Sequence, residues 1–288
     1  MLDIILERFR QKHRTVGFPD SLPGLPPRFR GRPFIDAGRC DGAQGVRCDL
    51  CRSVCPVEAI VYDGTAPALD MGICTFCGLC ARVCPKEALV FTTDWRLAST
   101  VRDALIIRPL VYATGASQIV SQSLPHDPNR FFRLPELPLT PTNAVNGAFT
   151  RSFRLRQVTA AGCGACEADL NVLSTIVFDL PRFGMDFVAS PRHADAMMLT
   201  GPVPRNMREA TIKCHNAMPA PKIVVAVGTC AISGGMFRAL PDGASDQRAE
   251  GTIPHLPVDL YIPGCPPHPY TSLDGLLRFL DRAVPAME

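Results

Sequence analysis

Residues 71–89 read MGICTFCGLCARVCPKEAL, and the spacing inside them, Cys74-x2-Cys77-x2-Cys80-x3-Cys84-Pro85, decides the fold of the first part of the chain. Three thiols at three-residue steps can wrap one iron–sulfur cube and ligate three of its irons. The cysteine before proline points away, toward a second cluster. A structural zinc site fits this spacing poorly, because such sites use two separated pairs and Cys77 would be surplus. Residues 39–60, RCDGAQGVRCDLCRSVCPVEAI, repeat the pattern as Cys40-x7-Cys48-x2-Cys51-x3-Cys55-Pro56. Both copies end alike, in CPVEAIVY and CPKEALVF, so one supersecondary unit occurs twice.

These two runs resemble the dicluster 4Fe–4S ferredoxins over residues 37–93. The resemblance implies a small α+β domain with crossed ligation: Cys40, Cys48, Cys51 and Cys84 on one cluster, Cys74, Cys77, Cys80 and Cys55 on the other. The family usually has two residues between its first and second cysteines. Here there are seven, DGAQGVR, which must loop out, and Gly42 and Gly45 make that sterically possible. At Cys40 the alternatives are a free thiol with another ligand in its place, or an incomplete cluster.

Residues 150–288 have a different texture. The β-rich runs FRLRQVT, MDFVAS, DAMMLTG, KIVVAVG and VDLYIPG alternate with the helical runs DLNVLSTIVFDL, REATIKCHNAM and YTSLDGLLRFLDRAV. Buried strands alternating with helices imply a parallel sheet covered on both faces. Four cysteines follow three of these strands: Cys163 and Cys166, Cys230, and Cys265. Sites in open parallel sheets form beyond the carboxyl ends of strands, so these four are expected to converge. Four thiolates suit one 4Fe–4S cube, and Gly162, Gly164, Gly228 and Gly264 let the backbone approach it. Taken alone, Cys163-x2-Cys166 also reads as a redox dithiol. Cys214 lies within a helical run and reads as a buried structural thiol.

The rest of the chain divides into helix and connector. Residues 1–14 are expected to form a short amphipathic helix with Leu2, Ile5, Leu6 and Phe9 near one face. Packing on its own protein is the plain expectation, and docking on a membrane-bound partner the sharper one. Residues 17–36 hold five prolines and read as an extended strap without regular structure. Residues 94–149 hold six prolines and no cysteine and read as a connector, with helices around Val101–Ile107 and Leu110–Val120. The partition is therefore 1–36, 37–93, 94–149 and 150–288.

Composition excludes several classes. With 288 residues, 47% of them hydrophobic, and a net charge of +3, the chain can bury a core and is not disordered. No run of 18 apolar residues exists, so no transmembrane helix is expected, nor is a secretory leader. Thirteen cysteines without an export signal argue against a disulfide framework and for metal or redox chemistry. Residues 1–160 carry 20 Lys+Arg against 14 Asp+Glu, but the charges are dispersed and no nucleic-acid reader motif accompanies them. No nucleic-acid partner is expected. Attraction to an acidic partner or to lipid headgroups is the milder reading of that charge. Neither a dinucleotide glycine fingerprint nor a P-loop is present.

GCGACEADL, FVASPRHADAMMLTGPVPRNM, VVAVGTCAISGG and YIPGCPPHPY closely resemble the small iron–sulfur subunit of energy-converting membrane hydrogenases, formate hydrogenlyase among them, and the related complex I small subunit. The likeness covers about residues 150–285 and implies a flavodoxin-like α/β domain. LPPRFRGRPFID and the cysteine runs resemble the ferredoxin-like subunit of the same complexes, so the chain looks like a fusion of two neighbouring subunits. Complex I small subunits carry two adjacent cysteines at the first ligand position. Here Gly164 and Ala165 separate Cys163 from Cys166, the hydrogenase-like form.

The resemblance implies an electron-transfer subunit with three 4Fe–4S clusters, held by the twelve cysteines other than Cys214, and with no catalytic residue of its own. Turnover would occur on a separate large subunit, with integral membrane subunits and an external donor module as further partners. The complex would sit on the cytoplasmic side of a membrane. A complex I-like quinone reductase subunit and a free-standing ferredoxin-type carrier are the other readings. His193 reads as structural or as an interface residue. Glu167 reads as a helix-start acid, with a proton-path carboxylate as the alternative.

Overall fold

A computed structural model describes the chain except residues 1, 13, 22, 23, 27, 64, 65, 111–133, 141–148, 150, 239–255 and 283–288. Helix α1 spans Leu2–Gln11. The expected packing on the body of the protein is not found: Ile4, Ile5, Leu6 and Phe9 are 74%, 51%, 56% and 75% exposed. Just beyond the helix, Thr15 Oγ1 donates to Ile176 O and Val16 N to Val177 O, both at 2.8 Å.

The cysteine-rich region builds two small antiparallel sheets. Its elements are β1 (Pro33–Ile35), α2 (Leu50–Ser53), β2 (Ile60–Asp63), β3 (Ala66–Asp70), α3 (Leu79–Val83), β4 (Leu89–Phe91) and β5 (Ile106–Ile107). Strand β1 pairs with β4, and β2–β3–β5 form the other sheet. The sequence repeat recurs as backbone geometry. Glu58 and Glu87, three residues after the paired Cys-Pro cysteines, both take left-handed backbone (φ 53° and 49°). That turn aims the next amide back at the thiol. Ala59 N donates to Cys55 Sγ at 3.2 Å and Ala88 N to Cys84 Sγ at 3.3 Å.

Two expectations need correction here. The strap does contain regular structure at its end, because Pro33 stands first in a strand, where its missing N–H is tolerated. Val101–Ile107 is not one helix. Arg102–Leu105 form a 3-10 turn and Ile106–Ile107 pair with β3, since two adjacent β-branched residues favour extended backbone. The stretch around Leu110–Val120 lies, beyond Leu110, outside the described residues.

The C-terminal region is a five-stranded parallel sheet in the order β10-β9-β8-β6-β7, as a doubly wound α/β fold requires. Its elements run β6 (Phe153–Thr159), α4 (Ala165–Leu173), β7 (Met185–Phe187), β8 (Ala196–Thr200), α5 (Arg205–Ala217), β9 (Ile223–Val227), α6 (Thr229–Ser233), β10 (Leu260–Ile262) and α7 (Pro269–Phe279). Every residue of β8 and β9 is buried, which accounts for their unbroken apolar reading. Helix α4 stops at Leu173 instead of running on to Leu180. Thr175, Ile176 and Val177 are β-branched, and Ile176 is 72% exposed, so no packing offsets their poor helix propensity.

Residues 94–99 join the two regions. Trp95, Leu97, Ala98 and Ser99 are buried, and Ser99 and Tyr261 exchange backbone hydrogen bonds at 3.0 and 2.9 Å. The sheet edge at β10 is thereby capped. Beside this seam Arg96 is buried against Asp94, with N–O separations of 2.9 and 3.1 Å, and reaches Glu136 at 3.1 Å. Removing the guanidinium leaves a buried carboxylate uncompensated. Arg96→Met is therefore expected to cost about 3–5 kcal/mol, read as a lowered urea midpoint.

Candidate metal centres

The local fold gathers Cys40, Cys48, Cys51 and Cys84 around one pocket, whose walls also include Ile35, Leu50, Pro67 and Leu89. Helix α2 carries Cys51, with Cys48 just before it, whereas Cys84 comes from the end of the other repeat. Cys40 is placed by its own amide, which donates to Asp36 O at 2.9 Å. The seven-residue loop turns through a 3-10 segment, Gly42–Gln44, and brings Cys40 to the pocket wall. Burial pushes the Cys51 thiol up to about 11, and Cys40 and Cys48 add like-charge repulsion.

A second group faces inward. Cys74 and Cys80 are buried. Burial drives the Cys74 thiol strongly upward, with repulsion from Cys80, Cys55 and Cys77 adding to it. Cys80 rises to about 12 by burial, then by Cys55 and Cys77. Phe76 N donates to Cys74 Sγ at 3.2 Å. Cys55 thus stands with the triad of the opposite repeat, as Cys84 does in the first pocket. The loop carrying Cys74 is braced by a bidentate pair, Arg102 to Asp70, at 2.9 and 2.7 Å.

The third group lies beyond the carboxyl ends of β6, β9 and β10. Cys166 is pushed upward by burial, then by Cys230, Glu167, Cys265 and Cys163. Burial first, then Cys265 and Cys163, raises Cys230 to about 11. Burial likewise raises Cys265. Of the glycines singled out from sequence, Gly228 meets a ligand candidate: at φ 83°, a Cβ there would lie 2.5 Å from Cys166 Sγ. Gly164 has open space around it, and Gly264 packs on Pro267. Gly235 went unnoticed in the sequence, yet a Cβ on it would stand 2.9 Å from Cys230 Sγ. Only the folded Cys230–Gly235 turn brings the two together.

The remaining polar candidates fall into place around this group. Glu167 accepts from Thr200 Oγ1 at 2.6 Å, which fixes its carboxylate beside Cys166. His193 is exposed in the 3-10 turn Pro191–His193. Cys214 is half-buried on α5, among Ala194, Met197 and Val224, away from all three groups. One cleft is lined by Thr75, Phe76 and Cys77 on one side and Gly264, Cys265 and His268 on the other, so the second and third groups face each other.

The chemistry of these donor sets can be tested against a cluster. Each group offers four thiols. Cys51 in the first, Cys74 and Cys80 in the second, and Cys166, Cys230 and Cys265 in the third are buried enough that the thiolate form is resisted when nothing cationic is bound. Iron in a cluster supplies the missing positive charge, so the residues fit 4Fe–4S groups. Among the described residues no three His, Cys, Asp or Glu side chains close around a single metal ion. A methyl group at Gly228 would collide with Cys166 Sγ. Gly228→Ala is therefore expected to remove about a third of the bound iron and leave the other two groups loaded, checked by iron and sulfide analysis.

Comparison with known proteins matches two stretches of the chain. Residues 163–279 match the family described as NADH ubiquinone oxidoreductase, 20 Kd subunit. Residues 44–88 match the 4Fe-4S dicluster domain, a span that begins after Cys40. Formate hydrogenlyase subunit 7 of Escherichia coli is 41% identical over 130 residues, 45% of this chain, and the match spans only 49% of that relative. An NADH-quinone oxidoreductase subunit of Desulfovibrio desulfuricans is 36% identical over 52% of this chain and 77% of its own. The probable membrane-bound hydrogenase subunit mbhJ of Pyrococcus furiosus is 36% identical over 46% and 76% respectively. A solved structure of the membrane-bound sulfane sulfur reductase, an archaeal respiratory membrane complex, includes a chain 31% identical to this one. It covers 47% of this chain and 72% of its own, with a TM-score of 0.40.

Proposed function

The chain belongs to the NADH ubiquinone oxidoreductase 20 kDa subunit family, and from that premise we propose that it is the electron-transfer subunit of a membrane-associated, hydrogenase-type complex, holding three 4Fe–4S clusters. The observation that carries this reading is the sorting of twelve of the thirteen cysteines into three groups of four, two of them on a dicluster region. We read residues 37–93 as the dicluster domain and 150–288 as the small-subunit domain, with 1–36 and 94–149 as strap and connector.

Bound clusters supply one-electron transfer and nothing else. The chain's own residues then have limited tasks. The thiolates hold iron. Buried apolar walls exclude water and set the local dielectric. Amides at Ala59, Phe76 and Ala88 donate to sulfur, which favours the more negatively charged, reduced state. Cys77 and Cys265 share a cleft and Cys80 feels Cys51 electrostatically, which supports reading the group of Cys55, Cys74, Cys77 and Cys80 as the middle one of the three. Cys163 is exposed, which suits a third group placed at the face of a separate large catalytic subunit. Among the described residues no helix is long and apolar enough to cross a membrane, so integral membrane subunits would supply attachment.

A second reading is the equivalent subunit of a complex I-like quinone reductase, and the identity to NADH-quinone oxidoreductase chains favours it. The Cys163-x2-Cys166 spacing favours the first. Two experiments decide. Anaerobically purified protein should bind about twelve iron and twelve sulfide, unchanged in Cys214→Ser. A content near four iron, or zinc in its place, overturns the three-cluster reading. The native complex should contain nickel and exchange electrons with hydrogen. A nickel-free complex that reduces quinone promotes the alternative.

A further inference from the structure

The seven-residue loop after Cys40 begins with a carboxylate, Asp41. Asp41 lines the first pocket and accepts a hydrogen bond from Lys86 Nζ, which lines the same pocket just after Cys84-Pro85. The loop is held from its other end as well. Val46 N donates to Asp41 O at 2.9 Å, and the Gln44 side chain reaches back to Gly38 O. The ion pair thus buckles the loop across the mouth of a pocket lined by Cys40, Cys48, Cys51 and Cys84.

We infer that Lys86, positioned by Asp41, sets the reduction potential of the cluster held by Cys40, Cys48, Cys51 and Cys84. This rests on the iron–sulfur reading above. The physical argument concerns sign. Four thiolates around a cubane give a net negative centre that becomes more negative on reduction, and a fixed ammonium beside it favours the reduced state. Lys86 lines the same pocket as Cys40, Cys48, Cys51 and Cys84, and its electrostatic partners are Asp41, then Cys48 and Cys84. Losing the ammonium removes that stabilisation and leaves the Asp41 carboxylate as the net charge of the former pair at the pocket wall. Arg39, the other cation of this wall, turns instead toward Glu87, at 3.8 Å. The Lys86 side chain is 53% exposed, so its effect is screened by salt.

The test is a redox titration of the anaerobic full chain, followed by electron paramagnetic resonance. Lys86→Met should lower the midpoint of one cluster by up to about tenfold in the oxidised-to-reduced ratio, about 59 mV for one electron, and leave the other two in place. Lys86→Arg should restore most of it. The Lys86→Met shift should shrink in 1 M salt and also in an Asp41→Asn background, where the ammonium has lost its anchor. A purely structural role for Lys86 would not respond to salt. Three clusters present with no shift in Lys86→Met, or with a shift insensitive to salt and to Asp41, overturn the inference alone. Wild-type protein without three clusters overturns the reading beneath it.

Discussion

Buried thiols that repel one another are the constraint on which the rest of this structure depends. Burial and neighbouring thiols push against ionisation of Cys51 in the first group, Cys74 and Cys80 in the second and Cys166 and Cys230 in the third, and a cationic partner relieves both. The surrounding architecture serves to bring such groups together at all. Left-handed turns at Glu58 and Glu87 return an amide to sulfur, and glycines at 228 and 235 leave room for it. The parallel sheet delivers three strand ends to one place.

Much of this was legible because the signal was local. Cysteine spacing within a single repeat dictates which thiols a short helix can present, and the buried strands β8 and β9 announce themselves as unbroken apolar runs. Convergence of Cys163, Cys166, Cys230 and Cys265 was legible at one remove, since topology alone sends strand ends to a common edge. What sequence missed was set by tertiary partners. Nothing near Pro33 says that β4 is available to pair with it. Nothing near Ile106 says that β3 lies alongside. Gly235 matters only because a turn brings it back over Cys230, and Lys86 only because a loop 45 residues earlier meets it.

The joint between the two regions matters as much as the groups themselves. It is made of backbone bonds at Ser99 and Tyr261, a buried ion pair at Asp94 and Arg96, and a hydrogen bond from Ser233 Oγ to Gly72 O at 2.7 Å. The last connects the helix that carries Cys230 with the loop that precedes Cys74. The facing groups are therefore held at a separation governed by short, directional contacts rather than by a tether.

The exchange of Cys55 and Cys84 between repeats has a consequence for the assembly of this region. On the proposed ligation neither repeat holds a complete set of four thiols. Each group is therefore complete only once both repeats have folded against each other, and a change in one repeat is felt by the group of the other.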